Sequence, residues 1–223
     1  MIYKPTQKAV DWKSLLADPE KQWKTGFSAR TLAHCWEEAK GFPRSVTAAL
    51  NKPNGPFTSI RPLLIFPEHQ VPLPGGKAAS QCDIWILAKD DRDLVSIAVE
   101  GKVAETFGPT IKEWMMDAST GKKERIQFLQ SKLELNGIPD SIRYQLLHRT
   151  VASIREAERF EARHAVLLVH SFSAQNLWFS EFRQFVSLFG VTAELNRTQA
   201  KRLQSGLTLH FSWVEGEKEF LNR

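Results

Sequence analysis

The stretch from Ser80 to Glu105, SQCDIWILAKDDRDLVSIAVEGKVAE, leaves little choice of local structure. Cys82–Lys89 is rich in strand-forming residues, Asp90-Asp91-Arg92-Asp93 makes a turn, and Leu94–Val103 is a second strand-forming run. A tight loop centred on Asp91-Arg92 pairs Asp90 with Asp93. The same count sets Asp83 opposite Glu100. Side chains alternate between faces along a strand, so the register can be checked. One face carries Cys82, Ile84, Ile86 and Ala88 against Val95, Ile97, Val99 and Val103. The other carries Asp83, Trp85, Leu87, Ser96, Ala98, Glu100 and Lys102. A slip of one residue would scramble both sets. The apolar face therefore supports a register that places two carboxylates side by side. Lys102 follows about 7 Å along the same face, two residues on at ~3.3 Å each.

Adjacent carboxylates raise each other's pKa unless a cation neutralises them. A divalent metal is the usual remedy. Mg²⁺ prefers oxygen ligands, commonly takes only one or two carboxylates, and keeps its waters for substrate phosphates. A nearby lysine can orient or deprotonate the attacking water. Metal, water and lysine together suffice to hydrolyse a phosphodiester.

The pattern Asp83…Glu100-Gly101-Lys102 resembles the PD-(D/E)XK nuclease superfamily, whose fold is restriction-endonuclease-like. The resemblance implies that Asp83 and Glu100 ligate Mg²⁺, with Mn²⁺ as a substitute, and that Lys102 is the water-activating base. Cys82 stands where the superfamily often has a proline before the aspartate. Many members also carry an acidic residue on a helix before the first strand. Here residues 28–40 read as a helix, with Ser28 as N-cap, Gly41 as its stop and Leu32, Cys35, Trp36 and Ala39 on one face. Either Glu37 or Glu38 of that helix can support a metal-bound water, with Glu37 taken as the assisting residue, or both simply face solvent. Within the superfamily the chain most resembles an uncharacterised bacterial group sharing the Glu100-Gly101-Lys102 strand and the YQLLHRT…LLVHSF segment at 144–172.

The chain has 223 residues, enough for one domain with a sizeable core. That domain is expected to span 1–223, with a core at about 28–170 and a helix-and-strand extension over 171–223. The net charge of +5 is compatible with a polyanionic partner without demanding one. Cys35 and Cys82 have no zinc or disulfide spacing, read as small core residues, and suit a reducing cytoplasm. No apolar run of about 18 residues predicts a membrane span.

An early helical stripe occupies residues 7–17. Leu63–Phe66 reads as the first strand within a proline-rich stretch. Pro72–Lys77 then places Gly75-Gly76-Lys77 before the Asp83 strand. It lacks P-loop spacing, and it reads either as a phosphate contact through Lys77 and backbone N–H groups or as an ordinary connection. Residues 122–135 form a helix with Ile126, Leu129 and Leu133 inward. Its basic start, Lys122, Lys123 and Arg125, sits poorly with the helix dipole. That cluster is either a phosphate-backbone contact or a solvated patch.

Residues 141–163 form a long helix with Tyr144, Leu147, Val151 and Ile154 as its stripe. Arg143, Arg149, Arg155, Arg159 and Arg163 are interleaved with glutamates, and Gln145 and Arg149 lie one turn apart. Ala165–Val169 is a buried strand. Residues 180–189 are an aromatic helix contributing Phe182, Phe185, Val186 and Phe189 to the core. Leu207–Val214 is a last strand at or near a sheet edge.

The order helix, three strands, helices, strand, helix, strand gives an α+β layered domain with a mixed sheet and an antiparallel meander. It matches the order of a restriction-endonuclease-like core. Two functions are compatible with these residues. One is a Mg²⁺-dependent nuclease acting on DNA, or with less support RNA, for which a homodimer would match two strands. The other is a non-catalytic module of the same fold that binds nucleic acid or a protein.

Overall fold

The computed structural model describes residues 6–91 and 93–223. A 3-10 turn (Ala9–Leu15) leads into α1 (Pro19–Gln22), α2 (Ser28–Ala39) and α3 (Arg44–Leu50). The meander follows as β1 (Arg61–Val71), β2 (Ser80–Asp90) and β3 (Asp93–Lys102). Then come α4 (Ile111–Trp114), α5 (Thr120–Lys132), α6 (Tyr144–Arg159), β4 (His164–Ser171), α7 (Phe179–Ser187), β5 (Thr198–Arg202) and β6 (Thr208–Glu215). A 3-10 turn at Lys218–Asn222 follows β6.

All six strands form one sheet in the order β1-β2-β3-β4-β6-β5. The pairs β1/β2, β2/β3 and β5/β6 are antiparallel, whereas β3/β4 and β4/β6 are parallel. The fold is thus α+β, with a mixed sheet between two helical layers. Parallel neighbours need crossovers, and α4–α6 and α7 supply them.

The meander and the central strands agree with the sequence pattern. Ile84, Ile86, Ala88, Val95, Ile97 and Val99 pack with Leu32 and Trp36 of α2 and Val46 and Leu50 of α3. Trp85, Leu87 and Ala98 face the opposite layer with Leu147, Val151 and Ile154 of α6, Leu129 of α5 and Phe182 and Phe185 of α7. Ala165–Val169 is buried throughout, as a strand covered on both sides must be. The Trp85 indole N–H, deep in this core, donates to Ser96 Oγ at 2.9 Å.

Several expectations need correction. Cys82 belongs to the Trp85 layer, not the Ile84 layer, because strict alternation fails at Asp83. The first strand is much longer than Leu63–Phe66. It continues through Pro62 and Pro67, which an edge strand tolerates because its outward N–H groups need no partner. The edge beyond β6 is β5, which the sequence did not reveal; three of its five residues are exposed and it is polar. Because β5 and β6 join the same sheet, residues 171–223 complete it rather than hang from it. In α2, Phe27 rather than Ser28 is the N-cap, and Lys40, at φ 51°, ends the helix before Gly41. The hairpin turn includes Arg92, which lies outside the described residues.

Candidate active site

The β2/β3 ladder runs from Asp90↔Asp93 to Ile84↔Val99. The printed register stops one pair short of Asp83 and Glu100, where β2 leaves strict alternation, yet both acids line one cleft at the end of the sheet where the parallel strands β3, β4 and β6 finish. That end is where ligands bind in open α/β sheets. Here Asp83 Oδ2 accepts a hydrogen bond from the Gly101 N–H at 2.8 Å. A Cβ at position 101 would lie 3.2 Å from Leu32 Cδ2 and 3.4 Å from Asp83 Oδ2. Glycine between Glu100 and Lys102 therefore lets α2 pack closely while the backbone holds the aspartate.

Glu100 and Lys102 are each 3% exposed. Glu100 Oε1 accepts from Lys102 Nζ at 2.7 Å, and Oε2 accepts from Arg149 Nε at 2.7 Å. Lys102 Nζ also donates to Gln145 Oε1 at 3.2 Å and lies 4.8 Å from the Phe107 ring centre. Arg149 reaches Ser80 Oγ at 3.3 Å and approaches Asp83 Oδ1 at 3.9 Å. A third carboxylate, Glu68 of β1, accepts from Gln81 Nε2 at 2.7 Å. These groups line a cleft of about 470 Å³, whose opposite wall is built from Leu16, Ala17, Lys21, Gln22 and Phe27–Ala29. Glu105 also lines it and accepts a hydrogen bond from the Ser28 N–H, at the start of α2, at 2.7 Å.

The acids differ in charge state. Burial, then the neighbouring Glu100 charge, raises Asp83 from 3.8 to about 7. Burial, then Asp83, raises Glu68 to about 8. Glu100 moves the other way: burial alone would raise it, but the Lys102 ammonium and the Arg149 guanidinium outweigh that and hold it below the usual range. Of Asp83, Glu68 and Glu100, only Glu100 has cations within hydrogen-bond distance, and the other two hold their protons more tightly than usual. The cluster is short of positive charge.

A stability prediction follows. Folded Asp83 holds its proton more tightly than the unfolded chain, so its contribution is complete below about pH 4 and is lost as pH rises through about 7. In metal-free buffer Asp83→Asn should therefore be more stable than wild type at pH 8, by roughly 2 kcal/mol for a partly exposed group. The difference should shrink toward zero near pH 4. Urea denaturation at both pH values checks this; a pH-independent difference would contradict the raised pKa.

The other expected site residues lie elsewhere. Glu37 accepts from Thr6 Oγ1 at 2.6 Å and Trp12 Nε1 at 2.7 Å, tying the first turn to α2. Glu38 is 3.6 Å from Arg223. Neither lines the cleft. Arg125 is 4% exposed, and its guanidinium binds the carbonyls of Leu73, Pro74 and Ala78 and the Tyr144 hydroxyl. It clamps the loop that delivers β2 and is unavailable to phosphate. Gly75, at φ +81°, passes so close to α5 that a Cβ would sit 2.4 Å from Arg125 N. Gly75 thus serves packing. Lys122 donates to Trp114 O at 2.7 Å and covers the Trp114 ring. Lys77 and Lys123 are exposed and do not line the cleft.

Glu68, Gln81, Gln145 and Arg149 were not assigned to a site from the sequence. Only the one-turn spacing of Gln145 and Arg149 hinted at a shared face. Glu68 had no signal, since its place depends on a φ of 51° within a strand.

A second cluster sits on the α2 side of the sheet. Cys35, His170 and Glu217 present ligand atoms within 4.8 Å of one another. The Trp36 indole N–H donates to His170 Nδ1 at 3.2 Å. In neutral His170, whose pKa burial lowers to about 4, the proton must then reside on Nε2, facing Ser45 Oγ at 3.2 Å. Ser45 Oγ in turn donates to Glu217 at 3.0 Å. This relay uses the lone pair a metal would need, so the cluster reads as a buried hydrogen-bond chain joining α2, α3, β4 and the segment after β6. His170 is a structural group, as a histidine ending a buried strand ordinarily is.

The fold and the site together define a layered α+β protein with an acid, lysine and arginine cluster at the end of its central strands. The chain belongs to the family described as Domain of unknown function (DUF6946), whose model matches residues 5–218. No curated protein and no solved structure matches it. Among the described residues no helix is long and apolar enough to cross a membrane.

Proposed function

We propose that this protein is a Mg²⁺-dependent nuclease that hydrolyses phosphodiester bonds of DNA, with a PD-(D/E)XK type of site. One observation carries the reading. Asp83 on β2 and Glu100 and Lys102 on the neighbouring antiparallel strand converge on one cleft, although 17 positions of chain separate the two acids.

The donor set fits a hard cation. It consists of carboxylate oxygens, Asp83 Oδ1 faces the cleft with no close hydrogen bond, and the raised pKa of Asp83 and Glu68 marks a deficit of positive charge. Asp83 and Glu100 would hold the ion, which when bound supplies Lewis acidity and a water of lowered pKa. Lys102 spends two of its three N–H donors on Glu100 and Gln145. The third is free to orient the attacking water or a non-bridging phosphate oxygen. Gln145 fixes the direction of that ammonium, and Arg149 keeps Glu100 ionised.

One feature favours the non-catalytic module instead: both oxygens of Glu100 already have cationic partners. Titration calorimetry with Mn²⁺ separates the readings. Millimolar or tighter binding that disappears in Asp83→Asn supports the nuclease. Absence of binding at millimolar metal supports the module.

A further inference from the structure

We infer that the substrate of this site is an unpaired nucleic-acid strand, with a base resting on Phe27 and a phosphate beside Lys21. The inference rests on the nuclease reading above and narrows it to a substrate class. Its first ground is depth. Glu100 and Lys102 are each 3% exposed, so the reacting phosphodiester must descend to the floor of the cleft. A continuous duplex holds its backbone on the outside of a stiff cylinder and cannot push one phosphate between two walls. A single strand, free of that cylinder, can bend to bring one phosphate down between the walls.

The second ground is the wall facing α6. It is formed by Leu16, Ala17, Lys21 and Gln22 with the start of α2, and it closes one side of the cleft that holds the acids. The third is the chemistry of that wall. Phe27 is 40% exposed, large for an aromatic side chain at the mouth of a polar cleft. Lys24 Nζ hovers 5.8 Å from its ring centre. Lys21 is 83% exposed at its side chain, and its ion pair with Asp18 is a surface contact that a phosphate can displace. An aromatic ring beside lysines on a groove that leads to the reacting groups is the arrangement that single-strand binders use.

The test is Mg²⁺-dependent cleavage of three short oligonucleotides of one sequence: single-stranded DNA, single-stranded RNA and blunt DNA duplex. The expected result is cleavage of an unpaired strand at least about tenfold faster than the duplex, and whichever unpaired strand is cut identifies the sugar. Phe27→Ala should raise KM for that strand about tenfold with little change in kcat, and Phe27→Trp should restore it. Lys21→Ala should lower the salt dependence of log KM by about 0.7. Duplex cut as fast as single strand, or a Phe27→Ala enzyme with unchanged KM, would overturn the inference and leave the nuclease reading intact. No cleavage of any of the three would remove the nuclease reading, and this inference with it.

Discussion

Lys102→Met should lower metal-dependent cleavage by about a thousandfold while the protein stays folded. Methionine keeps the length and the contact with Phe107 but removes every donor. Loss of one preorganised donor or proton-transfer group in a water-poor site costs about 10²–10⁴ in rate. The folding penalty is smaller. Glu100 keeps Arg149 at 2.7 Å, and the hydrogen bonds lost are the two that the Lys102 ammonium donates to Glu100 and Gln145. Together they are worth about 3 kcal/mol or somewhat more, against a usual total of roughly 5–15. Circular dichroism on the same preparation separates loss of activity from loss of structure. A folded Lys102→Met enzyme with wild-type turnover would remove Lys102 from the chemistry.

Arg149→Met is expected to have the largest effect on stability. Arg149 is 8% exposed and links Glu100, Ser80 and the neighbourhood of Asp83, pinning α6 to the ends of β2 and β3. Removing the guanidinium leaves Glu100 with Lys102 as its remaining cation and its buried Oε2 without a partner, at a cost of about 3–5 kcal/mol. The double variant Arg149→Met/Glu100→Gln should recover part of that, because the half-compensated carboxylate is gone. Urea denaturation of the four proteins gives the coupling directly. If the double variant is as unstable as the sum of the singles, Arg149 acts through packing and not through Glu100.

These two residues differ in how far the sequence announces them. Lys102 follows Glu100 by two on a strand, so once the hairpin register is known its face is known. Arg149 is one of five arginines between 143 and 163, and the others are mostly taken up by glutamates and aspartates nearby. Nothing local marks it as the buried one. Its role appears only when α6 is laid across the sheet.

Arg125 and the lysines near it show the same limit from the other direction. As sequence they are a basic cluster at a helix start, compatible with a phosphate backbone. In the fold the guanidinium of Arg125 is consumed by three carbonyls of the loop before β2. Charge is visible in a sequence; whether a charge meets water, a carbonyl or a ligand is not. Glu37 likewise sits on the expected helix, but that position points to Trp12 and not to the cleft.

What can be read from the chain alone is whatever repeats with a short period: the two-residue alternation of the β2/β3 hairpin as far as Ile84 and Val99, the apolar β4 segment, and the helical stripes of α2 and α6. Those patterns are local because backbone geometry sets them. The companions of the site are long-range. Glu68 depends on a kinked edge strand, Gln145 and Arg149 on a helix more than forty residues beyond Lys102, and Phe27 and Lys21 on a wall built before the sheet begins. They meet only because burying both faces of the sheet forces helices from opposite ends of the chain onto the same strand ends, and no short-range pattern encodes that encounter.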